Sequence, residues 1–293
     1  MVYDEPAYDK LLMAAELTNA EYHANKAISK SDLDAASRSG RHFLDKKEGP
    51  PRASTAVFDF GTAFHAAVLP GEDFSQVAVR MPKLITSKAT KAGKEFAKEH
   101  EGKIILNHSD SYALDQMMLS VSEHPAASGL LNGELLGKSE QSFFCKDTGD
   151  TELELKCRPD FMLDDGSLII DIKTTTDASP NGFKKSLANF RYHVQAAWYL
   201  EVVEKATGRR PEAFIFIATE KQRPFSTAVY VADEECIRIG MEQAREDLLN
   251  IAKWKNTGIY PGYSSQAEMI SLPKWMLPRE DGAMPASEPI QLY

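Results

Sequence analysis

Apolar residues recur in two rhythms along this chain. From Leu168 to Lys173 the run has strand character, with Leu168, Ile170 and Ile172 on one face and Ile169, Asp171 and Lys173 on the other. Leu153, Leu155 and Cys157 alternate in the same way and predict a strand over Glu152–Arg158. It pairs with Ser142–Cys145 across a turn at Asp147–Asp150, and Leu168–Lys173 follows as the third strand of that meander. Ala213–Ala218 is fully apolar and is reached through a helix, which predicts pairing parallel to a neighbour. Ser226–Val231 returns against it across Gln222–Phe225.

The helical rhythm fills the rest. A short arm precedes Tyr22, and Ser29 or Ser31 caps a helix reaching about Lys47, stopped by Gly49-Pro50-Pro51. Phe60–Leu69 is a second helix, with Phe64, Ala67 and Val68 on its apolar side. Residues 71–109 predict an irregular insertion with one short helix near Lys91–His100. Helical spacing resumes over Asp110–Glu123 through Leu114, Met117, Met118 and Val121. A long helix is predicted from about Asn181 to Thr207, closed by Gly208. Leu187, Phe190, Val194, Trp198 and Val202 form its core stripe; Tyr192, Gln195 and Tyr199 form an adjoining one. Asp233 caps a last helix to about Lys255. This order predicts an α/β fold, a central mixed sheet flanked by helices with an N-terminal helical extension. Residues 1–272 read as a single domain (22–109 extension and insertion, 110–272 core), and 273–293 as a proline-containing tail.

Composition narrows the function classes. At 293 residues the chain can bury a core, and its net charge of −9 argues against nonspecific coating of nucleic acid, though not against a local basic groove. Lys83, Lys88, Lys91, Lys94 and Lys98 are its densest basic stretch, either phosphate contacts or a solvated face. Arg38, Arg41, Lys46 and Lys47 are further candidates for facing DNA, although helix ends carry such charges anyway. No apolar run approaches the ~20 residues of a membrane span. The N-terminus lacks signal-peptide character, and three scattered cysteines form no C-x-x-C pair, so a cytoplasmic protein with free thiols is expected. There is no zinc pattern, dinucleotide fingerprint or phosphate loop, so no use of ATP is expected.

The candidate chemistry lies at Arg158-Pro159-Asp160 and Asp171-Ile172-Lys173. A turn at Asp164-Asp165-Gly166 can bring Asp160 beside Asp171. Two neighbouring carboxylates repel, and a divalent cation relieves the repulsion; hard oxygen ligands suit Mg²⁺ or Mn²⁺. Lys173, on the same strand face as Asp171, could hold a phosphate oxygen or orient a water.

These motifs resemble the PD-(D/E)-x-K nuclease superfamily. With Tyr192, Gln195 and Tyr199 (Y-x-x-Q-x-x-x-Y) and Gly61-Thr62-Ala63-Phe64-His65 upstream, the chain is most similar to the RecB-type branch, near the exonuclease VIII (RecE-like) phage recombination nucleases, over about Tyr22–Trp275. The resemblance implies metal ligation by His65, Asp160, Asp171 and the backbone carbonyl of Ile172. Glu140 is either a ligand of a second metal, directly or through water, or a solvated strand-end acid. Lys173 and Gln195 join the two aspartates in catalysis. Arg158, Thr174, Thr175, Tyr192, Gln195 and Tyr199 would contact DNA or order Lys173. It further implies 5′→3′ digestion of linear duplex ends to leave 3′ single strands, a ring-like homo-oligomer and a single-strand annealing partner. The four-cysteine iron–sulfur cluster of some relatives cannot form on three cysteines. A structure- or sequence-specific endonuclease, or a noncatalytic DNA-binding module, would share the same fold.

Overall fold

A computed structural model describes residues 17–50, 54–273 and 276; most of the predicted tail and of the arm before Tyr22 falls outside them. The described chain opens with helices α1 (Asn19–Ala24), α2 (Lys30–Ala36), α3 (Gly40–Glu48), α4 (Ala56–Val68) and α5 (Phe74–Val77). β1 (Ala78–Arg80), α6 (Lys91–Glu99) and β2 (Ile104–Leu106) follow, then α7 (His108–Glu123) and α8 (Pro125–Leu131). Next come β3 (Gly137–Ser139), β4 (Phe143–Lys146), β5 (Glu154–Cys157), β6 (Phe161–Leu163) and β7 (Leu168–Thr175). The chain closes with α9 (Pro180–Asn189), α10 (Tyr192–Thr207), β8 (Ala213–Glu220), β9 (Thr227–Val231) and α11 (Glu234–Thr257).

A five-stranded mixed sheet in the order β3-β6-β7-β8-β9 forms the centre. β7 and β8 run parallel over eight residue pairs, setting Asp171 beside Phe216 and Lys173 beside Ala218, and β9 returns antiparallel to β8. Strand alternation divides the core in two. Ile169, Phe214 and Phe216 pack on one side with Val194 and Trp198 of α10 and Leu248 of α11. Ile170, Ile172, Ile215 and Ile217 pack on the other with Phe64 of α4 and Leu114 and Met117 of α7. This is the predicted α/β architecture, helices on both faces of a mixed sheet.

Local predictions fail where one pattern conceals two elements. The helix expected to run to Lys47 is two, α2 and α3. Gly40 lies against Pro261 so closely that a Cβ would sit 2.7 Å from its ring. The Ser39 hydroxyl accepts from the His42 amide and starts a new helix there. The helix expected over 181–207 also breaks in two. Arg191 adopts a left-handed conformation at φ 53°, and its guanidinium donates to Asp247 at 2.5 Å and to the Leu33 carbonyl at 3.2 Å. Phe190, assigned to the core stripe, is 60% exposed at that corner.

The meander is likewise corrected. β4 and β5 form a two-stranded sheet of their own, with Leu155 of β5 bridging Ile28, and a strand not foreseen, β6, pairs with β7. Three apolar residues are too few to separate β6 from the loop by pattern alone. In the insertion, β1 and β2 form a small parallel pair around α6. Neither was expected, since each covers three residues.

Candidate active site

β7 supplies the centre of the site. Asp171 is fully buried, and its carboxylate lies against Lys173 Nζ, 2.5 Å from Oδ1 and 2.7 Å from Oδ2. The ammonium also sits 4.7 Å from the centroid of the Tyr192 ring. That contact depends on the Arg191 corner, which makes Tyr192 the first residue of α10. One turn further along, Gln195 Nε2 donates to Asp171 Oδ2 at 3.3 Å. Expected to contact DNA or order Lys173, Gln195 is buried against the acid; only 8% of it is exposed, although it borders a cleft. Truncation to alanine removes the second donor to a buried carboxylate. Gln195→Ala should lower turnover about tenfold while the melting temperature changes by only a few degrees. Full specific activity with early melting would make it a packing residue instead.

Asp160 follows β5 and leads into β6. Its Oδ2 accepts from the Ile172 amide at 2.7 Å and lies 3.4 Å from His65 Nδ1 on α4. The Ile172 backbone also hydrogen-bonds with the His65 ring, which brings that peptide to the acids. Glu140 stands between β3 and β4 in a left-handed conformation at φ 52°, its amide donating to the Asp160 carbonyl at 3.0 Å. One potential ligand atom from each of His65, Glu140 and Asp160 lies within 4.8 Å of the others. Of the residues assigned to metal binding, the structure thus gathers these three most tightly. Asp171 stands behind them in its ion pair with Lys173.

Burial and mutual repulsion shape the charges. Desolvation, then Asp160, push Glu140 up to about 8. Burial also raises Asp171 to about 7, the repulsion of Asp160 adding to it against the pull of Lys173. Asp160 is raised by burial as well, and His65 is lowered to about 4 by burial and by Lys173. A neutral imidazole beside crowded acids is the donor set a divalent cation takes.

These shifts set a pH prediction for chelated protein. Glu140, Asp171 and Asp160 are raised above unfolded values of about 4 and together outweigh His65, whose lowered value works the other way below about pH 6.5, so between roughly pH 4 and 8 the folded state binds more protons than the unfolded. Stability therefore falls as pH rises through that window. Melting in EDTA should drop on the order of 5 °C from pH 5 to 8.5, with the upper part of the fall flattened by Glu140→Gln. A flat profile in the unmodified protein would show that these acids are not held protonated.

Two clefts meet at this point. One, about 480 Å³, is lined by Tyr22, Thr62, His65, Glu140, Arg158 and Tyr199. The other, about 410 Å³, is lined by Tyr22, Ser29, Lys30, Lys156, Gln195 and Tyr199. Tyr22, Lys30 and Lys156 were not singled out in the sequence. They come from segments more than a hundred residues apart, and no local spacing signals them. Several predicted phosphate contacts are engaged elsewhere. Arg158 is buried, with Nε and Nη2 donating to Ser142 Oγ at 2.8 and 2.6 Å and Nη2 to the Leu17 carbonyl at 2.9 Å. Its guanidinium lies 4.3 Å from the Tyr22 ring. Thr175 is buried and its hydroxyl serves a turn at Asp177, whereas Thr174 is half-buried. Lys46 and Lys47 both pair with buried Asp32 at 2.9 Å. The lysines from Lys83 to Lys98 are exposed.

Residues 29–273 match a family described as a PDDEXK-like domain of unknown function (DUF3799). No curated protein matches the chain in sequence. In structure it is similar to a candidate exonuclease from Eubacterium rectale, with TM-score 0.60 and 13% identity over 88% of this chain and 96% of that one. At that identity the likeness speaks for the fold alone. An alkaline exonuclease from Laribacter hongkongensis aligns at TM-score 0.27 and 13% identity, over 67% and 96% of the two chains, and at that score carries no weight. Among the described residues no helix is long and apolar enough to cross a membrane.

Proposed function

The chain belongs to the DUF3799 family of PDDEXK-like domains, and on that premise we propose that it is a metal-dependent, ATP-independent deoxyribonuclease. The observation that carries this reading is the convergence of His65, Glu140 and Asp160 in front of the Asp171–Lys173 pair, beside a cleft that His65 and Glu140 line. His65, Asp160 and Glu140 would hold a Mg²⁺ or Mn²⁺ ion, with Asp171 and the Ile172 carbonyl completing its surroundings. A cation there would polarise a phosphate oxygen and lower the pKa of an attending water.

The chain's own residues do the remaining work. Asp171 and Asp160 keep Lys173 charged: burial alone would lower its pKa, yet the two acids raise it. A fixed ammonium offsets the charge that grows on a phosphorane-like transition state. Gln195 and Tyr192 hold that pair in place. Tyr22, Tyr199 and Lys156 line the path of the strand.

The resemblance extends the reading to an exonuclease acting 5′→3′ on linear duplex ends, leaving 3′ tails for recombination. A cytoplasmic location, a ring-like assembly and an annealing partner rest on that resemblance too. The test is digestion of end-labelled linear and closed-circular duplex with Mg²⁺, with and without a 5′ phosphate. Release of nucleotides from the 5′ end of linear DNA alone is expected. Cleavage of the circle would identify an endonuclease, and inertness toward both would leave a binding module.

A further inference from the structure

Helix α4 carries more than His65. Its apolar side, with Phe60, Ala63, Phe64, Ala67 and Val68, packs into the core. The opposite side lines the cleft through Thr62, His65 and Ala66. At 3.6 residues per turn, Phe58 lies two turns before His65 to within about 20°, on the same side and roughly 10 Å along the axis. It is 71% exposed, and neighbouring Val57 is 61% exposed. Among the described residues little covers this large aromatic, and it stands on the line of a candidate metal ligand.

Gly61 lies between them. Glycine is among the poorest residues for a helix interior, and packing does not require it here: a Cβ added at Gly61 would meet nothing within 4 Å. Its φ is not in the left-handed range, so no turn requires it either. What remains is bare backbone next to Thr62 of the cleft wall and about one turn before His65, which admits close approach of a ligand.

We propose that this side of α4 is a track for the substrate strand, its sugar–phosphate backbone crossing Gly61 and Thr62 toward His65 while a base stacks on Phe58. The proposal rests on the nuclease reading and adds the residues that grip the strand. Every base offers a π-face, so stacking on Phe58 holds a strand without selecting sequence. At 3.4 Å per nucleotide in a stacked strand, 10 Å places the stacked base about three nucleotides from the phosphate at His65.

The experiment measures fluorescence anisotropy of a labelled duplex with a single-stranded end, bound by the full chain in Ca²⁺. Melting temperatures and light scattering are recorded on the same samples. Phe58→Ala should bind about tenfold more weakly at unchanged melting temperature, and Phe58→Trp should bind like the unmodified protein. Gly61→Ala should melt at the same or a higher temperature yet also bind about tenfold more weakly, a pairing that a structural role would not produce. An abasic nucleotide near the third position should weaken binding to the unmodified protein and cost Phe58→Ala nothing further. If both variants bind as tightly as a parent that cleaves DNA, the track is wrong and the nuclease reading stands. If Phe58→Ala alters only the oligomeric state, that side covers a second copy and the proposal falls. A parent that neither binds nor cleaves DNA removes both.

Discussion

Lys173→Met is expected to bind metal and DNA ends like the unmodified protein and to lose single-turnover cleavage by a factor on the order of 10²–10⁴. The substitution keeps the stem and removes the charge. The ammonium lies 2.5 Å from a buried carboxylate, and the surrounding acids raise its pKa. On the proposed mechanism it acts as a fixed positive charge and does not cycle as a base. Such a charge is felt most where phosphate charge grows, in the transition state and not in the ground-state complex. Arginine should not rescue it, because a guanidinium is broader and cannot fit between Asp171 and the Tyr192 ring. A melting curve accompanies the kinetics, since Asp171 loses its partner. Unchanged cleavage would remove Lys173 from the mechanism. A loss confined to binding in Ca²⁺ would recast it as a phosphate anchor.

Asp160→Asn should abolish cleavage while leaving the fold intact. The amide oxygen still accepts from the Ile172 amide, which the carboxylate holds at 2.7 Å, so the link between the Asp160 loop and β7 survives. What is lost is the negative charge shared with Glu140 and His65. Mn²⁺ affinity by calorimetry should fall on the order of 100-fold or more, beyond the 10–100-fold typical of groups that merely support a ligand. In the unmodified protein EDTA should stop cleavage and excess Mg²⁺ restore it. Unaltered Mn²⁺ affinity in Asp160→Asn would place the ion elsewhere.

Much of this site was legible because its parts are short-range. Asp171 and Lys173 share a strand face by the two-residue period, and they meet in space for that reason. The apolar flanks of β7 and β8 declared buried, parallel strands, and the Asp233 cap of α11 is local hydrogen-bonding chemistry, its side chain accepting from the Cys236 amide. Glu140 was harder. Nothing near it in sequence distinguishes it from a solvated acid, and it reaches the site through a left-handed backbone and a bond to the Asp160 carbonyl. Arg158 shows the reverse: a basic residue beside a motif suggests phosphate, but Ser142, Leu17 and Tyr22 enclose it.

What the sequence determined by itself is the set of periodicities: which segments are strands or helices, which faces are apolar, and hence an α/β sheet carrying an acid and a lysine side by side. Breaks inside long helical patterns were left to tertiary structure. At Arg191 a left-handed residue interrupts a continuous apolar stripe because its guanidinium gains Asp247 and Leu33 across two other helices. At Gly40 contact with Pro261 favours a new helix over a longer one. The first bears on the candidate site, since it sets Tyr192 over Lys173. Helix propensity is summed over neighbours in the chain, whereas these bends are set by partners dozens of residues away, and only the folded molecule brings those partners within reach.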